Sequence, residues 1–132
     1  MKSREELEAI ATKVVDAALC VHRELGPGLL ESAYEIAFCH ELNLRGIAFV
    51  RQIPAPVIYK GVKLDAAFRI DVLVADTVIV ELKAVSEVVP IFEAQIISHL
   101  KLFNKPLGYL ANFHVRLMKD GIRRFGNFPN SP

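Results

Sequence analysis

Phe68-Arg69-Ile70-Asp71-Val72-Leu73-Val74-Ala75-Asp76-Thr77-Val78-Ile79-Val80-Glu81-Leu82-Lys83 is the stretch that decides the fold. Two aliphatic runs rich in β-branched residues flank Ala75-Asp76-Thr77, its one turn-like break, and this is the local signature of a β-hairpin. The even-numbered Ile70, Val72, Val74, Val78, Val80 and Leu82 are all aliphatic, so one face of the hairpin is core. The odd-numbered positions include Arg69, Asp71, Glu81 and Lys83. Whether these charges meet depends on register, because a one-residue slip sends a strand's side chains to the other face. Pairing Val74 with Val78 across a three-residue loop sets Asp71 opposite Glu81 and keeps Ile70 opposite Leu82. A two-residue Asp76-Thr77 turn would set Asp71 against Leu82, mixing charge with core, so an odd or bulged loop is expected.

Toward the N-terminus, Ser3 with Glu6 makes a capping box ahead of Leu7, Ile10, Val14, Ala17, Val21 and Leu25. This predicts an amphipathic helix stopped by Gly26-Pro27-Gly28. A second helix is expected from Leu30 to Arg45, with Leu30, Tyr34, Phe38 and Leu42 buried and Gly46 as its stop. Glu31 and Glu35 lie one turn apart beside that stripe, and Glu35 reads as solvated. From Ile47 to Tyr59 the pattern is extended, with Pro54 and Pro56 limiting it to an edge strand. Lys60-Gly61 then turns the chain, and the hairpin strands run from Leu64 to Ala75 and from Val78 to Ala84.

Toward the C-terminus, Pro90 to Asn104 reads as a helix with Phe92, Ile96, Leu100 and Phe103 inward and with Gln95 and His99 on a neighbouring strip. Leu107 to Phe113 reads as a buried strand. Asp120-Gly121 signals a turn between Val115-Met118 and Ile122-Phe125. The expected class is α/β, a mixed central β-sheet flanked by helices in the order α-α-β-β-β-α-β-β. Residues 1–126 form a single domain in this reading, and 127–132 a flexible tail.

Composition narrows the function classes. With 132 residues, 52% of them hydrophobic, the chain can build one sizeable core. It has no apolar run of about 18 residues, so no membrane partner is expected. The charged start Met1-Lys2-Ser3-Arg4-Glu5-Glu6 carries no signal-peptide pattern, and the cytoplasm is the expected location. A net charge of +1 argues against binding through a bulk positive field. The distribution is more informative. Residues 1–50 hold eight acidic and five basic side chains, whereas Lys101, Lys105, Arg116, Lys119, Arg123 and Arg124 face Asp120 alone after residue 99. These six are candidates for a phosphate-facing, nucleic-acid-binding surface, with a solvated face as the plain alternative. Cys20, Cys39, His22 and His40 are of zinc-ligand type, but their spacing matches no closed zinc motif and the two cysteines read as small buried hydrophobes.

An aspartate, a glutamate across from it and a lysine two residues beyond make a compact set. Two carboxylates held together call for protonation, a cationic partner or a metal. Magnesium suits such a pair, since it takes one or two carboxylates and completes its shell with water and phosphate oxygens. Lys83 would then orient an attacking water or neutralise developing charge. A buried ion-pair cluster joining sheet to helix would use the same residues, and the residues alone leave both readings open.

At these positions the sequence resembles a family. Asp71 followed by Glu81-Leu82-Lys83 is similar to the PD-(D/E)xK nuclease signature, with Ile70 where the nominal motif has proline. Gly28-Leu29-Leu30-Glu31-Ser32-Ala33-Tyr34 resembles the motif that names the GxxExxY proteins, a PD-(D/E)xK-like group, and the agreement spans roughly Gly26 to Gly126. The resemblance implies a restriction-endonuclease-like core and a nuclease using Mg2+ or Mn2+ to hydrolyse phosphodiester bonds of nucleic acid, with DNA as the expected polymer. It implies Asp71, Glu81, the Leu82 carbonyl and Glu31 as metal ligands, and Lys83 with Asp71 and Glu81 as the catalytic set. Gln95 would support the site. His99 stands where tyrosine is expected, so no role is carried over to it. Tyr34 is expected to pack and hydrogen-bond. Arg69 is placed on the acid face, either paired with Glu31 or Asp71 or binding phosphate. The alternatives are a non-catalytic nucleic-acid- or protein-binding module on the same fold, and an assembly subunit forming a homodimer through Phe125 and Phe128.

Overall fold

A computed structural model of the chain describes residues 2–55, 57–65 and 68–128. Helix α1 spans Arg4–Leu25 and begins with the expected capping box, in which Ser3 Oγ accepts the Glu6 N–H and the Glu6 carboxylate accepts the Ser3 N–H. It buries Leu7, Ala11, Val14, Ala17, Ala18 and Val21. Helix α2 spans Glu31–Leu44 and buries Tyr34, Phe38, Cys39 and Leu42. Leu30, expected on the buried stripe, is instead the N-cap and is 77% exposed. At the other end Gly46 takes a φ of 68°, the left-handed stop that a residue without Cβ adopts readily.

Strand β1 (Phe49–Pro54) leads into a small separate hairpin, β2 (Val57–Tyr59) and β3 (Val62–Leu64). Strands β4 (Arg69–Val74) and β5 (Val78–Lys83) are the central hairpin. The first strand of that hairpin therefore starts at Arg69 rather than Leu64. Helix α3 (Pro90–Leu102) crosses over to β6 (Leu107–Asn112), and β7 (Ile122–Gly126) closes the chain of elements. The main sheet has five strands in the order β1-β4-β5-β6-β7. Among the described strands only β5 and β6 are parallel, as a helical crossover between neighbours requires. Strand β1 lies at the edge, where Pro54 is tolerated; Pro56 lies outside the described residues.

Helices α1 and α2 cover one face of the sheet, over Val72, Val74, Val78, Val80 and Leu82. The other face holds a smaller core of Ile70, Leu73, Ile79 and Leu100 from α3. The hairpin is thus core on both faces rather than one, and Ile70, expected opposite Leu82 on the even face, packs instead with Leu73 and Ile79 on the other. Gly108 on β6 lets α3 sit close, since a Cβ there would come within 3.1 Å of both Ile96 and Leu100.

Two expectations fail near the C-terminus. Val115-Met118 is not a strand, and Asp120-Gly121 is not a hairpin turn; Met118–Asp120 form a 3₁₀ turn and β7 pairs back onto β6. Contacts with α1 override the local pattern, because Val115 O accepts a hydrogen bond from His22 Nε2 at 2.8 Å and Met118 is buried. Phe125 and Phe128 are half-buried against the two cores, and Arg4 stacks over the Phe128 ring at 3.7 Å. Asn127 Nδ2 donates to the carbonyls of Leu100 and Lys105; residues 129–132 lie outside the described residues. Among the described residues no helix is long and apolar enough to cross a membrane.

Candidate active site at the parted end of the hairpin

The β4–β5 register pairs Val74 with Val78 and Val72 with Val80, as the aliphatic alternation requires. Ala75 and Asp76 both have left-handed backbones (φ 50° and 55°), and the Thr77 N–H donates to Val74 O at 2.9 Å. This is a type I′-like turn plus one extra residue, which is the odd loop the charges demanded.

Past Val72 and Val80 the ladder stops, and the site occupies the gap. The Leu82 N–H donates not to a main-chain carbonyl of β4 but to Asp71 Oδ2, at 2.8 Å. In an antiparallel pair a residue's N–H and C=O face the same neighbour, so the Leu82 carbonyl faces this gap as well. The far side of β4 is disturbed at the same level. Arg51 pairs with Val72 and Ile53 with Ile70, so Gln52 stands across from Asp71, and its φ of 52° is left-handed.

Burial of the Asp71 carboxyl and the negative charge of Glu81 beside it, against the opposing Leu82 N–H, push the Asp71 pKa up to about 7. Glu81 is itself buried, and its Oε1 accepts a hydrogen bond from His99 Nδ1 at 2.7 Å. A carboxylate can only accept, so Nδ1 carries the proton in this pair. The His99 ring lies parallel to Phe68, centroids 4.2 Å apart and planes within 2°. His99 is thus a site residue that sequence reasoning set aside. Its signal was available in its place on α3, one turn from the inward Ile96.

Lys83 follows on the same strand, its Nζ 4.5 Å from the centre of the Phe92 ring. Glu31, at the start of α2, is exposed, yet burial of its carboxyl raises its pKa; Lys83 opposes that rise while Glu35 and Glu81 add to it. Glu31, Glu81 and Lys83 therefore lie in one another's field.

Glu35 is not solvated. It is buried, its Oε2 accepting from Arg51 Nε (3.0 Å) and Nη2 (2.6 Å) and its Oε1 from Gln52 Nε2 (2.8 Å). Consecutive strand residues normally point to opposite faces. Arg51 and Gln52 reach one carboxylate because the left-handed Gln52 breaks the alternation. Position 35 lies three and four residues before the buried Phe38 and Cys39, and that spacing already put it on the inward stripe.

Tyr34 packs and hydrogen-bonds as expected. Its hydroxyl donates to Gly26 O at 2.5 Å and accepts the Leu29 N–H at 3.1 Å, while its ring stacks on Phe113 at 4.5 Å. The spacing from Gly28 to Tyr34 thus ties the α1–α2 loop to the core. The Phe113 N–H donates to Lys83 O, so the same stack also backs the end of β5.

Gln95 is exposed, with no side-chain hydrogen bond among the described residues. Arg69, also exposed, has no ion pair with Glu31 or Asp71 among them. Three of the six C-terminal basic residues are ion-paired with acids on different elements. Lys105 binds Asp76, Arg123 binds Glu93 on α3, and Arg124 binds Glu8 on α1 across the opposite face of the sheet. Lys101, Arg116 and Lys119 are exposed on three different segments.

No three Cys, His, Asp or Glu side chains converge as metal ligands among the described residues. His22 is spent on Val115 O, and burial pushes the Cys39 thiol up to about 11, unlike a zinc-bound thiolate. The donor set that does fit a divalent cation is Asp71, Glu81 and the Leu82 carbonyl, all hard oxygens around the acid pair.

A family model described as the PD-(D/E)XK nuclease superfamily matches residues 8–125. Members of that superfamily generally use divalent metal ions. No curated protein and no solved structure matches the chain.

Proposed function

We propose that this chain, which belongs to the PD-(D/E)XK nuclease superfamily, is a hydrolase of nucleic-acid phosphodiester bonds whose acid pair Asp71 and Glu81 holds a magnesium or manganese ion. The observation that carries the reading is the pair itself. Two carboxyl groups meet at the end of a parted hairpin, Glu81 buried and Asp71 half-buried, and burial together with the Glu81 charge raises the Asp71 pKa to about 7.

Asp71, Glu81 and the Leu82 carbonyl would hold the cation, with exposed Glu31 reaching it through water. When bound, the ion supplies an acidified water and stabilises charge on a phosphoryl oxygen. The remaining work falls to the chain. His99 fixes the Glu81 carboxylate through its Nδ1 proton. Lys83, beside Phe92 and in the field of Glu31, orients the attacking water or offsets charge developing on the phosphate. Gln95, Arg69 and the exposed Lys101, Arg116 and Lys119 are offered to the flanking nucleotides. DNA as the polymer, a homodimer as the working state, a cytoplasmic location, a single domain over residues 1–126 and the narrower GxxExxY grouping belong to the same proposal.

A second reading keeps the fold and drops the chemistry, leaving a module that binds nucleic acid or protein. It is favoured by one observation, that no three Cys, His, Asp or Glu side chains converge as metal ligands among the described residues.

Calorimetric titration with Mg2+ and Mn2+, paired with cleavage assays on single-stranded DNA, duplex DNA and RNA, separates the two. Wild type is expected to bind metal in the millimolar range or tighter and to cleave. Asp71→Ala is expected to lose both, and Lys83→Ala to lose cleavage alone. Metal binding without cleavage of any polymer favours the binding module.

A further inference from the structure

We propose that a shallow groove beside the acid pair receives one unpaired nucleobase of a single-stranded nucleic acid, stacked on the outer side of the Phe68–His99 ring pair. This rests on the hydrolytic reading for where the phosphate sits.

The groove has a volume of ≈ 220 Å³ and is lined by Phe68, Ile91, Ala94, Gln95, Ser98 and His99. Its aromatic wall is already a stack, two parallel rings 4.2 Å apart. Phe68 also meets Phe103 in a T-shaped contact, ring centroids 6.1 Å apart and planes at 70°. Aromatic side chains of this kind are where proteins hold splayed bases. All the lining residues other than Phe68, His99 included, come from α3. There Gln95 and Ser98 are exposed, and between them they offer donors and acceptors to a base edge.

The groove borders the acid pair through His99, which lines it and whose Nδ1 binds Glu81. A phosphate at the acid pair would therefore present its neighbouring base to this wall. A base inside a duplex cannot offer its faces without being extruded, at a cost of a few kcal/mol. The groove accordingly selects strands whose bases are already unpaired.

The test uses full-length Lys83→Ala protein with magnesium, so that the strand stays intact, and short oligonucleotides carrying a fluorescent adenine analogue whose emission falls on stacking. The arms are single-stranded DNA, single-stranded RNA and blunt duplex DNA, the first two distinguishing which strand is preferred. Emission is expected to fall with a single strand and not with the duplex. Adding Phe68→Ala is expected to weaken single-strand binding about 5- to 150-fold, with duplex binding unchanged. Because Phe68 also touches the core, Phe68→Trp should restore the signal, and Ala94→Leu, at an exposed position, should block the groove without lowering the melting temperature. Unchanged emission, or equal losses on single strand and duplex, overturns the proposal. Quenching without cleavage of any polymer by wild type sinks the hydrolase reading and leaves the base site standing; cleavage with unchanged emission does the reverse.

Discussion

His99 Nδ1 lies 2.7 Å from Glu81 Oε1, and both side chains are almost fully buried. A ligand held by such a partner cannot swing, and removing partners of this kind typically costs about 10- to 100-fold in metal affinity or activity. His99→Ala is expected to lose that much in Mg2+ affinity by calorimetry. His99→Asn, whose amide nitrogen can stand where Nδ1 stood, should recover part of it. Equal affinity in all three proteins would show that Glu81 needs no such restraint.

Asp71 has a folded pKa of about 7 against an ordinary 3.8. An acid whose pKa rises on folding favours the fold fully below about pH 4, and that advantage is lost as the pH climbs through about 7. Without metal, the protein should therefore lose stability from about pH 4 to pH 7, by at most on the order of 4 kcal/mol from this group, and level off above. Asp71→Asn should flatten that slope and melt higher than wild type at pH 8 in EDTA. Adding Mg2+ at pH 8 should raise the wild-type melting temperature and leave that of Asp71→Asn almost unchanged.

Glu35 is buried under Arg51 and Gln52. Arg51→Met strands that carboxylate with one amide partner, and because Arg51 is itself half-exposed the loss should be about 1–3 kcal/mol rather than the full cost of a buried pair. Urea unfolding of Arg51→Met beside the double variant Arg51→Met/Glu35→Gln checks the cause. The double variant should be the more stable of the two.

Tyr34→Phe keeps the stack on Phe113 and removes the hydroxyl that binds Gly26 O and the Leu29 N–H. A stability loss of about 1–3 kcal/mol is expected in urea titrations, with metal affinity unchanged in the folded protein. A loss of metal affinity at full stability would instead put Tyr34 in the chemistry.

At Gly121 a Cβ would fall 2.1 Å from the Asn112 carbonyl oxygen, a main-chain atom that cannot step aside. Asn112 in turn clamps Val85, whose N–H it accepts at 3.0 Å and whose carbonyl it binds at 2.9 Å, just beyond Lys83. Gly121→Ala should therefore cost about 3 kcal/mol by urea titration and depress cleavage even below the melting transition.

What the sequence makes legible is what local periodicity controls. The register at the hairpin turn, the capping box and most of the inward stripes of α1 and α2 follow from spacings of two and of three to four residues, while Leu25 and Leu30, expected inward at the helix ends, are exposed. What it hides depends on distant contacts. Glu35 gains its partners only because Gln52 abandons the strand backbone, and His99 meets Glu81 only after a parallel crossover brings α3 over β5. Val115-Met118 has the composition of a strand but is drawn over the end of α1 by His22. The C-terminal basic residues read as one patch along the chain, yet Arg123 and Arg124 sit on consecutive strand positions and so leave on opposite faces.

Strand β1 ends the sheet on one side and exposes Val50, a combination that invites another chain to add a strand and start a fibre. Its last residues discourage this. Gln52 turns the backbone left-handed, Pro54 has no N–H to offer, and Arg51 sets a charge beside them, so a visiting strand finds no continuous row of donors and acceptors. The kink that brings Arg51 and Gln52 to Glu35 thus also guards the molecule against aggregation. Straightening it, for example with Gln52→Val, would put solubility at risk along with the site.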